Sequence, residues 1–143
     1  MKVTLRKDIN PDPEFYYHQQ FEIYHKPYLI WDRETWKKVL KTCNVYRLET
    51  DGRYGGNVIL EDRGNGTRYI VDFSILPDFQ GMGIGRSALE SIKEMTERLT
   101  AVTRMETLHF FLDSGFVLRK TLKNYYHPGV DGYYVAFEGK PEK

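Results

Sequence analysis

Between Thr67 and Met95 the chain changes its spacing rule twice. "TRYIVDFSIL" alternates with a period of two, as a half-buried strand does. "PDFQGMGIG" then sets Gly81, Gly83 and Gly85 at alternate positions, and "RSALESIKEM" continues with apolar residues on one helical face. A strand that enters a helix through such a loop leaves several unencumbered backbone N–H groups converging at the positive end of a helix dipole. The stretch predicts an anion cradle with a helix starting near Arg86 or Ser87.

The flanking sequence builds a fold around this unit. "PEFYYHQQFEIYH", from Pro13 to about His25, reads as a helix on which Tyr17, Phe21 and Tyr24 share a face. Asp32 is placed to cap a second helix carrying Trp36, Val39, Leu40 and Cys43 as its apolar stripe. "VYRLET", "GGNVILED" and "TRYIVDFSIL", separated by "DG" and "RGNG", predict an antiparallel meander. After the glycines, Leu89, Ile92, Thr96 and Leu99 predict a helix from Ser87 to Leu99, then "LTAVT" a short strand. "METLHFFLDSG" predicts a helix closing at Gly115, and "FVLRKTL" and "YYVAFE" predict strands flanking the loop "KNYYHPGVDG". The expected fold class is α/β: one domain over residues 1–143, with a mixed, largely antiparallel sheet, helices on both faces and a frayed tail at 139–143.

Composition narrows the partners. The formal net charge is +1, so no bulk field attracts DNA, RNA or an anionic membrane, and neither nucleic acid nor membrane is an expected partner. One cysteine, Cys43, excludes an internal disulfide framework and a Cys-rich zinc site. His18, His25, His109 and His127 show no ligand spacing, so no metal is expected. The absence of a signal-like start or a long apolar run predicts a soluble, cytoplasmic protein. Exposed strand edges make a homodimer a possibility of the fold class.

Spacing also discriminates among nucleotide motifs. A dinucleotide fingerprint anchored at Gly81 needs glycine where Arg86 stands, and a triphosphate loop needs Gly-Lys where Gly85-Arg86 stands. "ILPDF" followed by Gln80-Gly81-Met82-Gly83-Ile84-Gly85 instead resembles the pyrophosphate-binding motif of the GNAT acetyltransferase superfamily. The resemblance runs from about Trp31 to Glu138. It includes a degenerate "FFLDSGF", and its tail "NYYHPGVDG" is similar to the ribosomal-protein and N-terminal amine acetyltransferase branch.

The resemblance implies acetyl-CoA as cosubstrate. Its diphosphate would lie on the amides from Gln80 through Gly81, Met82, Gly83, Ile84 and Gly85 to Arg86, with the helix start at Ser87 beneath. The Ile75 backbone N–H, at the end of the motif strand, would stabilise charge on the acyl oxygen; there the strand would part from its neighbour and free backbone groups for the thioester arm, with Leu76 and Pro77 leading into the loop. It implies direct transfer of an acetyl group to a primary amine, either a protein or peptide N-terminus or a small molecule. An ammonium of pKa about 10.4, or about 8 for an α-amine, must first lose a proton. Asp72, a carboxylate inside an apolar strand, is the first candidate base, with Glu61 and Glu49 or a water relay as alternatives. The tyrosine that usually protonates the leaving thiolate falls on Phe111, and the usual asparagine upstream falls on Arg104. Tyr125, Tyr126 or His109 could supply the proton instead. The resemblance makes Tyr125 and Tyr126 acceptor-binding candidates, and Tyr16, Tyr17, Tyr24, Tyr28 and Trp31 could build the opposite wall. The departures at Phe111 and Arg104 leave a second reading, an acyl-CoA-binding sensor or assembly module.

Overall fold

The computed structural model describes residues 2–139. Its elements in chain order are β1 (Thr4–Lys7), α1 (Pro13–Ile23), α2 (Arg33–Thr42), β2 (Asn44–Thr50), β3 (Arg53–Asp62), β4 (Thr67–Ile75), α3 (Ile84–Glu94), β5 (Arg98–Thr103), α4 (Met105–Asp113), β6 (Val117–His127) and β7 (Val130–Phe137). Short 3₁₀ turns at Pro27–Leu29 and Pro77–Phe79 fall in the α1–α2 and β4–α3 connections. The strands form one seven-stranded sheet in the order β1-β2-β3-β4-β5-β7-β6. All neighbours are antiparallel except β4 and β5, which α3 joins as a parallel crossover. The fold is the expected α/β class.

Two apolar layers hold helices to opposite faces. Alternation along β3 sends Val58 and Leu60 to one side, where they meet Ile84, Ala88, Leu89 and Ile92 of α3 and Phe111 of α4. Ile59 faces the other side, against Tyr16 of α1 and Trp36 and Leu40 of α2. Gly56, at φ +154°, lets β4 approach closely: a Cβ there would fall 2.0 Å from the carbonyl oxygen of Ser74. Helix starts follow their caps, with Asp12 accepting from Glu14 N at 3.0 Å and Asp32 from Thr35 N at 2.8 Å.

Three local expectations need correction, and one strand was not expected. The polar, mostly exposed strand β1 gave no periodic signal. On α1 the buried positions are Tyr16, Gln19 and Gln20, whereas Phe21 is exposed, because the helix meets the sheet one position away from the expected face. Helix α3 begins at Ile84 and ends at Glu94 rather than running from Ser87 to Leu99. There Thr96 Oγ1 and the Glu97 and Arg98 N–H groups all donate to Gly66 O, turning the chain into β5. The segment expected as the loop "KNYYHPGVDG" is largely strand: β6 reaches His127 and β7 begins at Val130, although pairing is irregular between Leu122 and His127, where Asn124 has φ +55°. Phe110 and Phe111 lie on the same helix end as Gly115, which closes α4 as expected with φ +91°. The fray expected at 139–143 falls outside the described residues except for Gly139. Among the described residues no helix is long and apolar enough to cross a membrane.

Candidate active site

Strands β4 and β5 pair only from Thr67–Arg98 to Ile70–Ala101. Beyond that point β4 continues as Val71–Ile75 and β5 as Val102–Thr103, and the two part. The separation begins earlier along β4 than its end at Ile75. A cavity of about 510 Å³ opens there, lined by both strands, by the α1–α2 connection, by the start of α4 and by Tyr126 of β6.

On one side of the gap the glycine loop delivers the chain into α3. Gly81 and Gly83 have φ of +78° and +79°, and Gly83 is the N-cap residue. A Cβ on either would meet no protein atom within 4 Å, so backbone conformation rather than packing requires glycine here. Ser87 N donates to Gly83 O, so the amides of Ile84, Gly85 and Arg86 precede the first helical bond. Gln80 turns its side chain back, its Nε2 donating to Ile75 O at 3.0 Å, and braces the loop against the strand end. Leu76 N is engaged by Gly55 O at 2.9 Å. Ile75 lines the cavity, Met82 and Arg86 are exposed, and Ile84 is buried beneath the loop. A diphosphate fits this cradle of amides at a helix start, and an extended arm fits the gap between β4 and β5.

Asp72 is 8% exposed and lines the cavity. Its Oδ2 accepts from Asn57 Nδ2 at 2.9 Å and Ser74 Oγ at 3.0 Å, and its Oδ1 from Tyr24 OH at 3.0 Å. Gln19 Nε2 donates to Asn57 Oδ1 at 2.6 Å, and Tyr54 OH donates to Gln19 Oε1, extending the network across the sheet. Burial pushes the Asp72 carboxyl up from its ordinary range, against the three donors that favour its charge. Burial likewise pushes the Tyr24 phenol up. The alternative carboxylates lie elsewhere: Glu61 pairs with Arg63 at 2.7 Å, and Glu49 lies beside Arg6 and Arg47.

Aromatic side chains supply much of the remaining wall. Tyr24, Tyr28, Trp31 and Trp36 line it, whereas Tyr16 packs in the core against Trp36 and Tyr17 lies under Arg33. Tyr126 faces the cavity, donates to Val102 O at 3.2 Å, and has its pKa pushed up to about 12 by burial. Tyr125 is not among the lining residues; it is half exposed and its ring lies over Gly132, where a Cβ would come within 2.9 Å of it. Phe111 is buried in the core and also borders the cavity. Arg104 caps the start of α4 and donates to Glu106 at 2.7 Å, so both charges stand at the cavity edge. His109 is exposed on α4, away from this wall. Sequence reasoning missed Tyr24, Asn57 and Ser74 as partners of Asp72. The shared parity of Asp72 and Ser74 was a usable signal.

The profile of the "Acetyltransferase (GNAT) family" matches residues 4–116. A search of curated proteins gives no match. Among solved structures, the ribosomal-protein-S18-alanine N-acetyltransferase from Escherichia coli superposes with TM-score 0.80 at 18% identity, covering 99% of this chain and 97% of that one. A GNAT family acetyltransferase from Elizabethkingia anophelis with acetyl-CoA bound gives 0.74 at 18% identity, with coverages of 96% and 98%. A mutant spermidine N-acetyltransferase from Vibrio cholerae gives 0.73 at 16% identity, with coverages of 95% and 93%. At these identities the likeness is one of fold.

Proposed function

The chain belongs to the GNAT acetyltransferase family, and from that premise we propose that it is one acetyl-CoA-binding domain that moves an acetyl group directly to a primary amine. The observation that carries this is the junction of the glycine cradle with the β4–β5 gap, which ends beside the buried carboxylate of Asp72. Acetyl-CoA supplies an acyl carbon activated as a thioester.

Asp72 takes the proton of the incoming ammonium, directly or through Tyr24, whose hydroxyl is bonded to it. The neutral amine nitrogen then bonds to the acyl carbon, the carbon–sulfur bond breaks with its electron pair leaving on sulfur, and the nitrogen gives up its second proton to solvent. The Ile75 backbone at the strand end is the proposed stabiliser of charge developing on the carbonyl oxygen. Cys43 follows α2, at its C-cap, and no covalent enzyme step is assigned to it.

Tyr126 is a weak acid for the departing sulfur. A phenol held near 12 gives its proton to a thiolate of pKa about 8.5 only uphill, by roughly 5 kcal/mol. The thiolate therefore leaves unaided and is protonated by solvent; Tyr126 is assigned to the acceptor side, and Tyr125, which lies outside the cavity wall, is given neither the acid nor the acceptor role expected of it. An acyl-CoA-binding module without turnover is the second reading, favoured by Phe111 at the position of the usual proton donor. Thiol release from acetyl-CoA with a panel of primary amines separates the two. Amine-dependent release supports transfer, and tight CoA binding with no release by any amine supports the module.

A further inference from the structure

We infer that the acceptor is a compact primary amine seated in the cavity, and that the stacked rings of Tyr28 and His127 at its rim bar a polypeptide N-terminus. The inference rests on the acetyltransferase reading above and narrows its substrate class.

The rings lie 4.9 Å apart between centroids with an interplanar angle of 14°. Tyr28 belongs to the 3₁₀ turn between α1 and α2 and lines the cavity. His127 ends β6 beside Tyr126, which lines it from the opposite element. The stack thus joins two elements that border the cavity from different parts of the chain. A peptide extending outward between them has to part the rings.

Both supports are tied down. The buried Gln20 side chain accepts from Trp31 N at 2.9 Å and donates to Trp31 O at 2.8 Å, fixing the connection just after Tyr28 to α1. Across from it, Asp131 accepts from Asn124 N at 2.9 Å and Asn124 Oδ1 accepts from Gly129 N at 2.7 Å, fixing the hairpin around His127. Tyr126 anchors the same strand to β5 through Val102 O.

The lining of this half-open cavity suits a small cation. Tyr24, Tyr28 and Trp31 offer ring faces and Asp72 a carboxylate, while Glu106 at the edge is already paired with Arg104; the rings and Asp72 together suit an ammonium head on a short body. The volume of about 510 Å³ lies in the range of drug-sized ligands, and the acyl-bearing arm shares it with the acceptor.

The test compares butylamine and 1,4-diaminobutane with tetraalanine amide, in the wild type, His127→Ala and His127→Phe. In wild type the better amine should have the higher kcat/KM. His127→Ala should raise the peptide-to-amine ratio about fivefold to tenfold, the size of one lost aromatic pair, while His127→Phe retains the wild-type ratio. Equal or better use of the peptide by wild type, or an unchanged ratio in His127→Ala, overturns the inference. Both tryptophans of the chain line the cavity, so intrinsic fluorescence reads ligand entry without turnover. Quenching by an amine but not by the peptide, reversed in His127→Ala, supports the gate even if acetyl transfer is never seen, in which case the acetyltransferase reading alone fails. Equal quenching by amine and peptide, or by neither, overturns the gate.

Discussion

Asp72 receives hydrogen bonds from Asn57, Ser74 and Tyr24, all of which favour its ionised form, while burial opposes that form and is the larger effect. The folded protein therefore keeps the Asp72 proton to a higher pH than the unfolded chain does. Its contribution to stability is complete below about pH 3.9 and is lost as pH rises through the raised value. Ionisation in the same interval produces the proposed base. Asp72→Asn should lower kcat/KM by about 10² to 10⁴ and remove the acid limb of its pH profile. It should also flatten the fall in unfolding free energy across that interval, measured by denaturant titration at a series of pH values; a variant that keeps both slopes rules out Asp72 as their source. Phe111 makes the complementary case, because its ring touches Phe110 and Phe116 edge-on yet borders the cavity. Phe111→Tyr should preserve or raise kcat by restoring a hydroxyl, and a lower kcat at unchanged stability would count against this position as the donor site.

The glycine loop is the element on which the proposed cosubstrate binding turns. Gly83 needs its left-handed conformation but has no protein neighbour within reach of a Cβ. Gly83→Val should cost about 1–2 kcal/mol of stability through backbone strain and abolish CoA binding by filling the cradle. Calorimetry on the folded variant checks this, and unaltered affinity would remove the cradle from the mechanism. This element was legible in the sequence because alternating glycines before an amphipathic helix have local causes. The end of α3 was not: Leu89, Ile92, Thr96 and Leu99 keep helical spacing, but Gly66, from the preceding hairpin, captures Thr96, Glu97 and Arg98 and ends the helix. Likewise, Asp72 was visible as a carboxylate in an apolar strand, whereas Tyr24 reaches it only after α1 packs across the sheet from 48 residues away.

Across the whole molecule, the sheet separates the proposed cosubstrate side from the proposed acceptor side. Helix α3 and the glycine loop belong to one apolar layer, α1 and α2 to the other, and the parting of β4 from β5 connects the two sides through the sheet. The cavity meets the glycine loop at Gln80 and Gly85, and the proposed acceptor wall at Tyr24, Tyr28 and Trp31. One gap can therefore hold a thioester arm from one side and an amine from the other. The most direct measurement is calorimetric titration of the purified protein with acetyl-CoA and with CoA. Micromolar binding of either, lost in Gly83→Val, is the predicted result. No binding of either would contradict the account, leaving the glycine segment as a turn between a strand and a helix.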